Sequence, residues 1–484
     1  MATSFDRQIE HLLRRAGYGA RSDELDTFRR LSIRGAVSVL VDYEPIPDDV
    51  DQKIQQDGYV QVTTRGAFSP NTVIGDARQR WLFRMVHTNR PLQEKMTLFW
   101  HNHFATAYSK IAGVFGGGDA TRHLAAKAAE DPGGVCGQVE MLRDHALGNF
   151  RDILVEIAKD VAMLIWLDGR TNVRARPQEN FGREIMELFT MGIGHYTEQD
   201  VYAAARVFTG WNLRRVGADA SARFEFVYNA AQHDPAEKTF TFAIYPSGGR
   251  TIPPRAAADG MQDGLDFIEA LAAHPATGPR LATKLFQFFV SEVADPPAEF
   301  VRRVASVYYR SRYDMRSVVR EVLLSPEFWD DASYFARYSW PVEFVARAIK
   351  DVGWRGFSVN DTLTPLGNMG QNLYEPPDVN GWDLGRLWFS TGSMLARMNF
   401  AAALTFNQRF NLAAAAAPHG RTPDDLVHYV MDGLPAAARD APVLAELSSY
   451  VRGTGAWTGS ATQVQNRTAG LAHLIVGSAE YQLA

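Results

Sequence analysis

The spacing of hydrophobic and polar residues is helical along most of this chain. Near the start, Ile9, Leu12 and Ala16 recur at intervals that place them on one face of a helix. Pro91 stands where the first turn of a helix tolerates proline, and apolar positions recur after it. We therefore predict a mainly α fold, organised as a single large multi-helical domain over residues 1–484.

One region breaks this pattern in favour of strands. Residues 224–228 and 239–242 alternate apolar and polar side chains, which is typical of half-buried β-strands. The two segments are close enough in sequence to pair with each other. A minor β-hairpin around 224–242 is therefore predicted within the helical domain.

Two further regions differ from the rest in composition. Glycines cluster on both sides of a short helical segment within 109–138, which predicts a mobile loop insertion there. Alanine tracts at 413–417 and 436–438 indicate a less constrained helical region over 410–484. Neither change is sharp enough to predict a separate domain.

Composition excludes several classes of protein. The chain is 46% hydrophobic and 22% charged, as expected of a globular protein with a large core. Its net charge of -5 argues against a general nucleic-acid partner, which would require a basic face. Cys136 is the only cysteine, so neither an intrachain disulfide nor a multi-cysteine metal site can form.

The sequence also bears on location. No apolar run approaches the roughly 18 residues that a membrane-spanning helix needs, so no membrane span is predicted. Residues 1–10 lead into an amphipathic segment and lack the apolar core of a signal peptide. We expect a cytoplasmic protein for the chain as written; export stays open if a signal peptide has been removed.

The segment 180–190 is the first candidate for chemistry. On an α-helix, Asn180, Arg183, Glu184 and Glu187 fall within an arc of roughly 100°. Periodicity alone favours an amphipathic helix with a solvated polar face and an Arg183–Glu187 pair. The functional interpretation is a Glu184/Glu187 carboxylate pair that binds a metal or performs acid/base chemistry.

Histidines supply further candidates. His101 and His103 lie two residues apart, so on a continuous helix they point about 200° away from each other. They converge on one ligand only if the helix ends or unwinds there. His233 begins a His-Asp-Pro turn, which would place an imidazole at a loop tip.

An aromatic segment adds a possible substrate surface. Trp382 closes a proline-rich turn at 375–382, and Trp388 follows it. The simplest interpretation is that Trp382 packs on the core. The alternative is a rim on which Trp382 and Trp388 stack a sugar ring.

Several spaced motifs resemble those of one bacterial family. They are HLLRRAGYG at 11–19, FWHNHF at 99–104, NFGREIMEL at 180–188, YTEQDV at 196–201, FTGW at 208–211, HD at 233–234 and PPDVNGW at 376–382. The set resembles a large family known only as a domain of unknown function, number eighteen hundred. This resemblance covers nearly the whole chain and implies a single, mainly helical domain of about this length.

The resemblance carries no reaction, but it implies that the motif positions are shared by the family. They are rich in His, Asn, Arg, Glu and Trp, which is more typical of an active site than of a scaffold. The chain departs from the family in having Gly182 and Phe189 where an alanine and a histidine are usual. A reaction that uses a histidine at position 189 therefore loses support.

We expect an enzyme that performs acid/base chemistry, either hydrolysis or β-elimination, on a polar, carbohydrate-like small molecule. Glu184 would be the acid/base group, and Arg183 would bind a substrate carboxylate. The expected catalytic residues are Glu184, His103, His233 and Arg183. The expected substrate-binding residues are Asn102, Asn180, Trp211 and Trp382. If the reaction is metal-assisted, the expected ligands of a divalent ion are His101, His103, Glu184 and Glu187.

Two alternatives from other classes stay open. One is a metal-dependent oxidoreductase with histidine and carboxylate ligands on helices. Against it, residues 184–187 read Glu-Ile-Met-Glu, with glutamate where helical di-metal sites have histidine. The other is a non-catalytic helical binding or scaffold protein, in which the polar arc at 180–190 is merely solvated.

Overall fold

The computed structural model describes residues 4–353, 357–406, 412–434, 441–453 and 455–484. Helices dominate these ranges. In the first half of the chain they are α1 (Ser4–Arg15), α2 (Ser22–Phe28), α3 (Ile33–Val41), α4 (Ile74–His87), α5 (Pro91–His103), α6 (Tyr108–Phe115), α7 (Gly117–Ala125), α8 (Gln138–Asp144), α9 (Phe150–Lys159), α10 (Val161–Trp166), α11 (Glu179–Glu184) and α12 (Glu198–Val207).

The helices continue after a short β region. They are α13 (Met261–Ala273), α14 (Thr277–Phe289), α15 (Ala298–Arg310), α16 (Met315–Leu324), α17 (Pro326–Trp329), α18 (Pro341–Asp351), α19 (Leu363–Asn368), α20 (Thr391–Phe406), α21 (Leu412–Ala416), α22 (Pro423–Gly433), α23 (Ala441–Arg452) and α24 (Ala461–Val476). The prediction of a mainly α fold is confirmed.

Local signals explain where several helices begin. Pro91 is the first residue of α5, as its position in the sequence predicted. Thr197 and Asp200 form a capping box at the start of α12, in which each side chain accepts from the backbone N–H of the other residue. Such caps matter because the first N–H groups of a helix have no partner within it.

The β structure differs from the predicted hairpin. Strand β1 (Trp211–Val216) pairs antiparallel with β2 (Arg223–Tyr228), and β3 (Lys238–Thr239) pairs antiparallel with β4 (Thr251–Ile252). The segments predicted to pair with each other therefore belong to two separate two-stranded sheets. One reason is that Asp200 accepts hydrogen bonds from the backbone N–H and hydroxyl of Thr241, which ties that segment to the start of α12.

Buried apolar side chains form one continuous core from Ile9 to Tyr481. It includes large residues that are almost fully buried, such as Trp81, Trp100 and Trp340. A single core of this extent makes the chain one large domain. Among the described residues, no helix is both long enough and apolar enough to cross a membrane.

The glycine-rich region 109–138 is more ordered in secondary structure than a loop. It contains most of α6 and all of α7, and α7 buries His123 and Leu124. Gly116, with a φ of +83°, forms the junction between these two helices, whereas Gly133, Gly134 and Gly137 follow α7. Mobility of the segment stays a prediction.

The described part of 410–484 is helical and forms α21 to α24. Its lower degree of constraint stays a prediction. The alanine tract at 436–438 lies outside the described residues.

Candidate functional site

An open cavity of about 790 Å³ lies between the 187–195 segment and the start of α14. That volume is in the range of small-molecule sites. Its wall carries charged and titratable groups together with apolar surface. The polar lining includes Glu187, His195, His274, Arg280, Lys284 and Gln287.

Helix α14 supplies one wall of the cavity. Arg280, Lys284 and Gln287 are spaced i, i+4 and i+7, so they share a face. The opposite side of the helix is buried in the core through residues such as Leu281 and Leu285. This burial fixes the helix and holds its polar stripe toward the cavity.

A π-helix at Ile185–Phe189 forms the opposite wall and continues directly from α11. The sequence predicted a regular α-helix through this segment. Because the π-helix has a different number of residues per turn, the predicted polar arc does not continue beyond Glu184. One-turn π-helices are rare and frequently occur at functional sites. The chain then turns at Gly192, whose N–H donates to the carbonyl of Met186 at 3.0 Å.

Gly192 also makes room for Arg280. Its φ is +86°, and a Cβ atom at that position would lie 3.0 Å from an Nη atom of Arg280. Both the backbone conformation and the close approach favour glycine. The tight turn that follows segment 180–190 thus serves to admit an arginine into the cavity wall.

Lys284 and His103 form the central polar contact. The Nζ of Lys284 lies 3.1 Å from Nδ1 of His103, at the end of α5. No carboxylate forms an ion pair with Lys284 in the described part of the chain. Burial of the ammonium group, reinforced by the nearby Arg280, lowers the pKa of Lys284 from its ordinary 10.5 to about 7.

The other nitrogen of His103 determines how this contact works. Its Nε2 lies 3.0 Å from the carbonyl oxygen of Phe189, which can only accept, so Nε2 carries the proton. Nδ1 is then the acceptor and takes a hydrogen bond from Lys284. Burial, together with Lys284 and Arg280, lowers the pKa of His103 well below its ordinary value, which keeps the ring neutral.

In this arrangement Lys284, rather than His103, is the group that can exchange a proton with a bound molecule. A neutral Lys284 amine still donates one N–H to His103, while its lone pair is not engaged by the histidine. The amine can therefore accept a proton from a molecule bound in the cavity. A pKa near 7 suits a general acid/base group at neutral pH.

Arg280 is available as an anion-binding group. Its Nη2 donates to the carbonyl of Leu188 at 3.3 Å, but its Nε has no partner among the described residues. Burial lowers the pKa of Arg280, and Glu187 opposes that effect. The guanidinium stays charged at neutral pH and can bind a carboxylate.

The two glutamates of the predicted pair have different surroundings. Glu187 lines the cavity and accepts a hydrogen bond from the hydroxyl of Tyr196. Glu184 is half-buried and does not line the cavity. Burial, with a contribution from Glu187, raises the pKa of Glu184. The structure thus favours Glu187 over Glu184 as the carboxylate within reach of a ligand.

Arg183 and Asn180 are occupied by surface contacts. Both Nη atoms of Arg183 donate to Glu198 at 2.7 Å, a bidentate pair, in place of the predicted pair with Glu187. Asn180 is exposed and donates to Asp168 at 3.1 Å. Neither lines the cavity, so the expected roles of Arg183 in substrate binding and catalysis and of Asn180 in substrate binding lack structural support.

His101 lies in the core rather than in the cavity. Helix α5 continues through His103, so the two histidines point in different directions, as the helical geometry requires. His101 is fully buried against the rings of Trp81, Tyr374 and Trp382. Burial lowers its pKa to about 3.

The expected substrate-binding residues Asn102, Trp211 and Trp382 have packing roles. Asn102 Oδ1 accepts from the backbone N–H of Trp382 at 2.6 Å, and its Nδ2 donates to the carbonyl of the same residue. Trp382 is 4% exposed and Trp211 is 1% exposed. Trp382 and Trp388 line a separate cavity of about 250 Å³, so stacking on a substrate there stays a prediction.

His233 belongs to a separate, closed cluster. Its Nε2 lies 3.1 Å from Asp263 Oδ2, and its Nδ1 lies 2.9 Å from the carbonyl oxygen of Thr209. Lys238 also donates to Asp263, at 2.6 Å. His233, Lys238 and Asp263 are all fully buried, so the imidazole is not exposed at a loop tip as predicted, and the expected catalytic role of His233 lacks structural support.

The expected metal ligands are not gathered into one site. In the ranges that the structure describes, no three His, Cys, Asp or Glu side chains are arranged to hold a metal ion. His101 faces the aromatic core, whereas both ring nitrogens of His103 are taken up by Lys284 and Phe189. The four residues therefore do not form the ligand set that the sequence suggested.

Two residues of the cavity escaped the sequence interpretation. In the sequence, the apolar run at 285–290 is the dominant feature of the helix that contains Arg280 and Lys284. The polar stripe on the same helix was therefore not recognised. The i, i+4 spacing of Arg280 and Lys284 was the available signal. It did not show that this stripe faces the π-helix and His103.

The fold and the cavity define a mainly helical, single-domain protein with an open pocket, lined by a lysine that contacts a buried histidine. The chain belongs to the family described as "Protein of unknown function (DUF1800)", whose model matches residues 11–483. This confirms the family that the spaced motifs resemble. Neither the curated proteins nor the solved structures compared with the chain include a match.

Proposed function

We propose that this protein is an enzyme that performs acid/base chemistry on a carboxylate-bearing small molecule in the 790 Å³ cavity. The observation that carries the proposal is the Lys284–His103 contact of 3.1 Å, with the amine lining the cavity beside Arg280. This assignment moves the proposed chemistry from Glu184 to Lys284. It keeps His103 as a partner of the acid/base group.

Of the two reactions expected, β-elimination uses these residues most directly. Arg280 binds the substrate carboxylate and stabilises the negative charge that develops when the adjacent carbon loses its proton. The neutral Lys284 amine takes that proton, and a carbon–carbon double bond forms as the leaving oxygen departs. The Lys284 ammonium then returns the proton to that oxygen, so no other reactant is needed.

His103 has a positioning role in this scheme. Because its Nε2 proton is held by the Phe189 carbonyl, Nδ1 can only accept. The amine is therefore oriented without being protonated by the histidine. Hydrolysis needs an additional activated water, for which Glu187 is the cavity-lining carboxylate.

The test is a screen of the full chain against acidic oligosaccharides and simpler β-oxygenated carboxylic acids, following the absorbance of the new double bond. For a substrate found in this way, Lys284→Met should lower kcat about 10²- to 10⁴-fold, the usual contribution of a general acid/base group. The wild-type rate should rise with pH through about 7 as Lys284 loses its proton.

Lys110→Met is the matched control, because Lys110 is exposed and pairs with Asp168 on the surface. It should leave kcat unchanged. Turnover by Lys284→Met equal to that of the wild type would remove Lys284 from the mechanism. Turnover that hydrolyses the substrate without forming a double bond would replace elimination with hydrolysis.

A non-catalytic binding function has one observation in its favour. Ile193 lines the same cavity and, at 78%, has the largest exposed fraction among the large apolar side chains of the described residues. A ligand or partner that covers Ile193 would account for it. If wild-type protein binds a carboxylate without converting it, this second function is the better account.

A further inference from the structure

A second cavity lies away from the residues described above, between α4, α19 and the segment that follows α19. Its volume is about 340 Å³. The polar wall includes Arg78, Thr364, Asn368, Gln371 and Asn372. No acidic side chain of the described ranges contributes to the lining.

Among the residues that the structure describes, Arg78 is the only charged residue that lines this cavity. It is half-buried, and its Nε donates to the carbonyl of Leu373 at 2.9 Å. Within the described ranges no carboxylate forms an ion pair with it. The nearby Glu375 instead accepts hydrogen bonds from the backbone and side chain of Ser109.

The side-chain amide of Gln371 provides an independent observation, which is a buried hydrogen-bond donor without a partner among the described residues. The residue is fully buried, and its Oε1 accepts from the backbone N–H of Val342 at 2.9 Å. This contact fixes the amide so that Nε2 is the free end. That Nε2 has no hydrogen-bond partner among the described residues. Buried donors without a partner are rare and usually have a reason.

The backbone of the same segment is strained. Tyr374 has a φ of +64°, and its side chain is fixed by packing against Trp81 and His101. A bulky residue in the left-handed region costs energy and persists where surrounding structure enforces it. Such positions occur preferentially at ligand sites, and this one follows directly after Leu373, which lines the cavity.

We propose that this second cavity binds a small oxyanion, either a carboxylate or a phosphate group. The Arg78 guanidinium supplies the charge, because its Nη atoms form no ion pair in the described chain. Amide groups of Gln371 and Asn372 line the same space. The site is independent of Lys284 and stands whether or not the other cavity is catalytic.

The experiment is isothermal titration of the full chain with inorganic phosphate and, separately, with succinate at low ionic strength. The protein carries Arg280→Gln, so that an anion bound in the larger cavity does not contribute. We expect saturable binding of at least one anion. Binding of phosphate alone assigns a phosphate ligand, and binding of succinate alone assigns a carboxylate ligand.

Arg78→Gln in the same background should weaken binding about ten- to a hundredfold, as expected for loss of a charged hydrogen-bonding partner. Arg303→Gln is the matched control, since Arg303 is neutralised by Glu321 and Glu327, and it should bind like the parent. If Arg78→Gln fails to fold, Arg78→Lys replaces it. That variant keeps the charge but loses the planar fork, and it should bind more weakly than the parent.

Two results would overturn the proposal. One is the absence of saturable binding of either anion to the parent protein. The other is unchanged affinity in a folded Arg78 variant, which would place the anion elsewhere. Because the titration is done without Arg280, a failure here leaves the acid/base proposal for Lys284 unaffected.

Discussion

The molecule contains two lysine–histidine clusters, and they differ in whether a carboxylate pairs with the lysine. Around Asp263, a carboxylate accepts from both Lys238 and His233, and all three residues are fully buried. Around Lys284, the amine contacts His103 without a carboxylate, and the lysine lines an open cavity.

The two clusters differ in how their surroundings change the pKa of the central group. The pKa of Asp263 is pushed up by burial, but hydrogen bonds from His233 and Lys238 outweigh this and hold it below its ordinary value. Charge is thus stabilised in the closed cluster. In the cavity no carboxylate of the described residues compensates the buried ammonium, so the pKa of Lys284 falls to about 7. The proposed reactivity of Lys284 thus depends on the absence of a carboxylate partner among the described residues.

The largest expected effect concerns the closed cluster. Asp263→Ala leaves the charge of Lys238 buried without its partner, so the free energy of unfolding should fall by about 3–5 kcal/mol. Urea denaturation measures the loss. Asp259→Ala, an exposed acid of the same segment, should change stability by no more than about 0.5 kcal/mol. Equal effects of the two substitutions would contradict the structural role given to Asp263.

The next effect concerns binding in the open cavity. Arg280→Gln removes the cation that holds the substrate carboxylate, so kcat/KM should fall about ten- to a hundredfold while the protein stays folded. Steady-state kinetics on the substrate identified above provides the measurement. Arg183→Gln is the control, because that guanidinium is already bound to Glu198. A larger loss for Arg183→Gln than for Arg280→Gln would reverse the assignment.

A further effect concerns how the stability of the protein depends on pH through Lys284. The folded-state pKa of Lys284 is lower than its unfolded value, so the folded protein binds fewer protons between about pH 7 and 10.5. The wild type should therefore gain stability from this group as pH rises through that window. Lys284→Met removes the buried charge and should raise the free energy of unfolding at pH 6.

This advantage of Lys284→Met should shrink as pH rises toward 10.5, because the folded amine is already neutral above about pH 7 and the unfolded amine loses its proton around 10.5. Thermal unfolding at a series of pH values follows the difference. A constant difference between the two proteins at all pH values would mean that Lys284 is not desolvated in the folded state.

The helical fold could be predicted because it depends on local periodicity and caps. Pro91 and the Thr197–Asp200 pair mark helix starts that the structure contains. Strand pairing could not be predicted, because residues 224–228 pair with an earlier strand, not with residues 239–242. Pairing depends on long-range contacts that alternation does not encode.

The sequence predicted the region of the candidate site but only some of the residues that form it. Residue 187 and His103 contribute to the cavity region, but Arg183 and His233 have partners far along the chain, Glu198 and Asp263. A polar residue type does not reveal whether its hydrogen bonds are already used. The decisive feature of Lys284, an amine without a carboxylate, becomes visible only when its surroundings are known.

The most direct test is a titration of the Lys284 side chain itself. Protein labelled with ¹³C at the lysine Cε positions is titrated by NMR, and the Lys284 signal is assigned as the one missing from Lys284→Met. We expect a midpoint near pH 7, well below the ordinary lysine value of 10.5. A midpoint near 10.5 would mean that the amine is a fully charged ammonium at neutral pH and would contradict its role as an acid/base group.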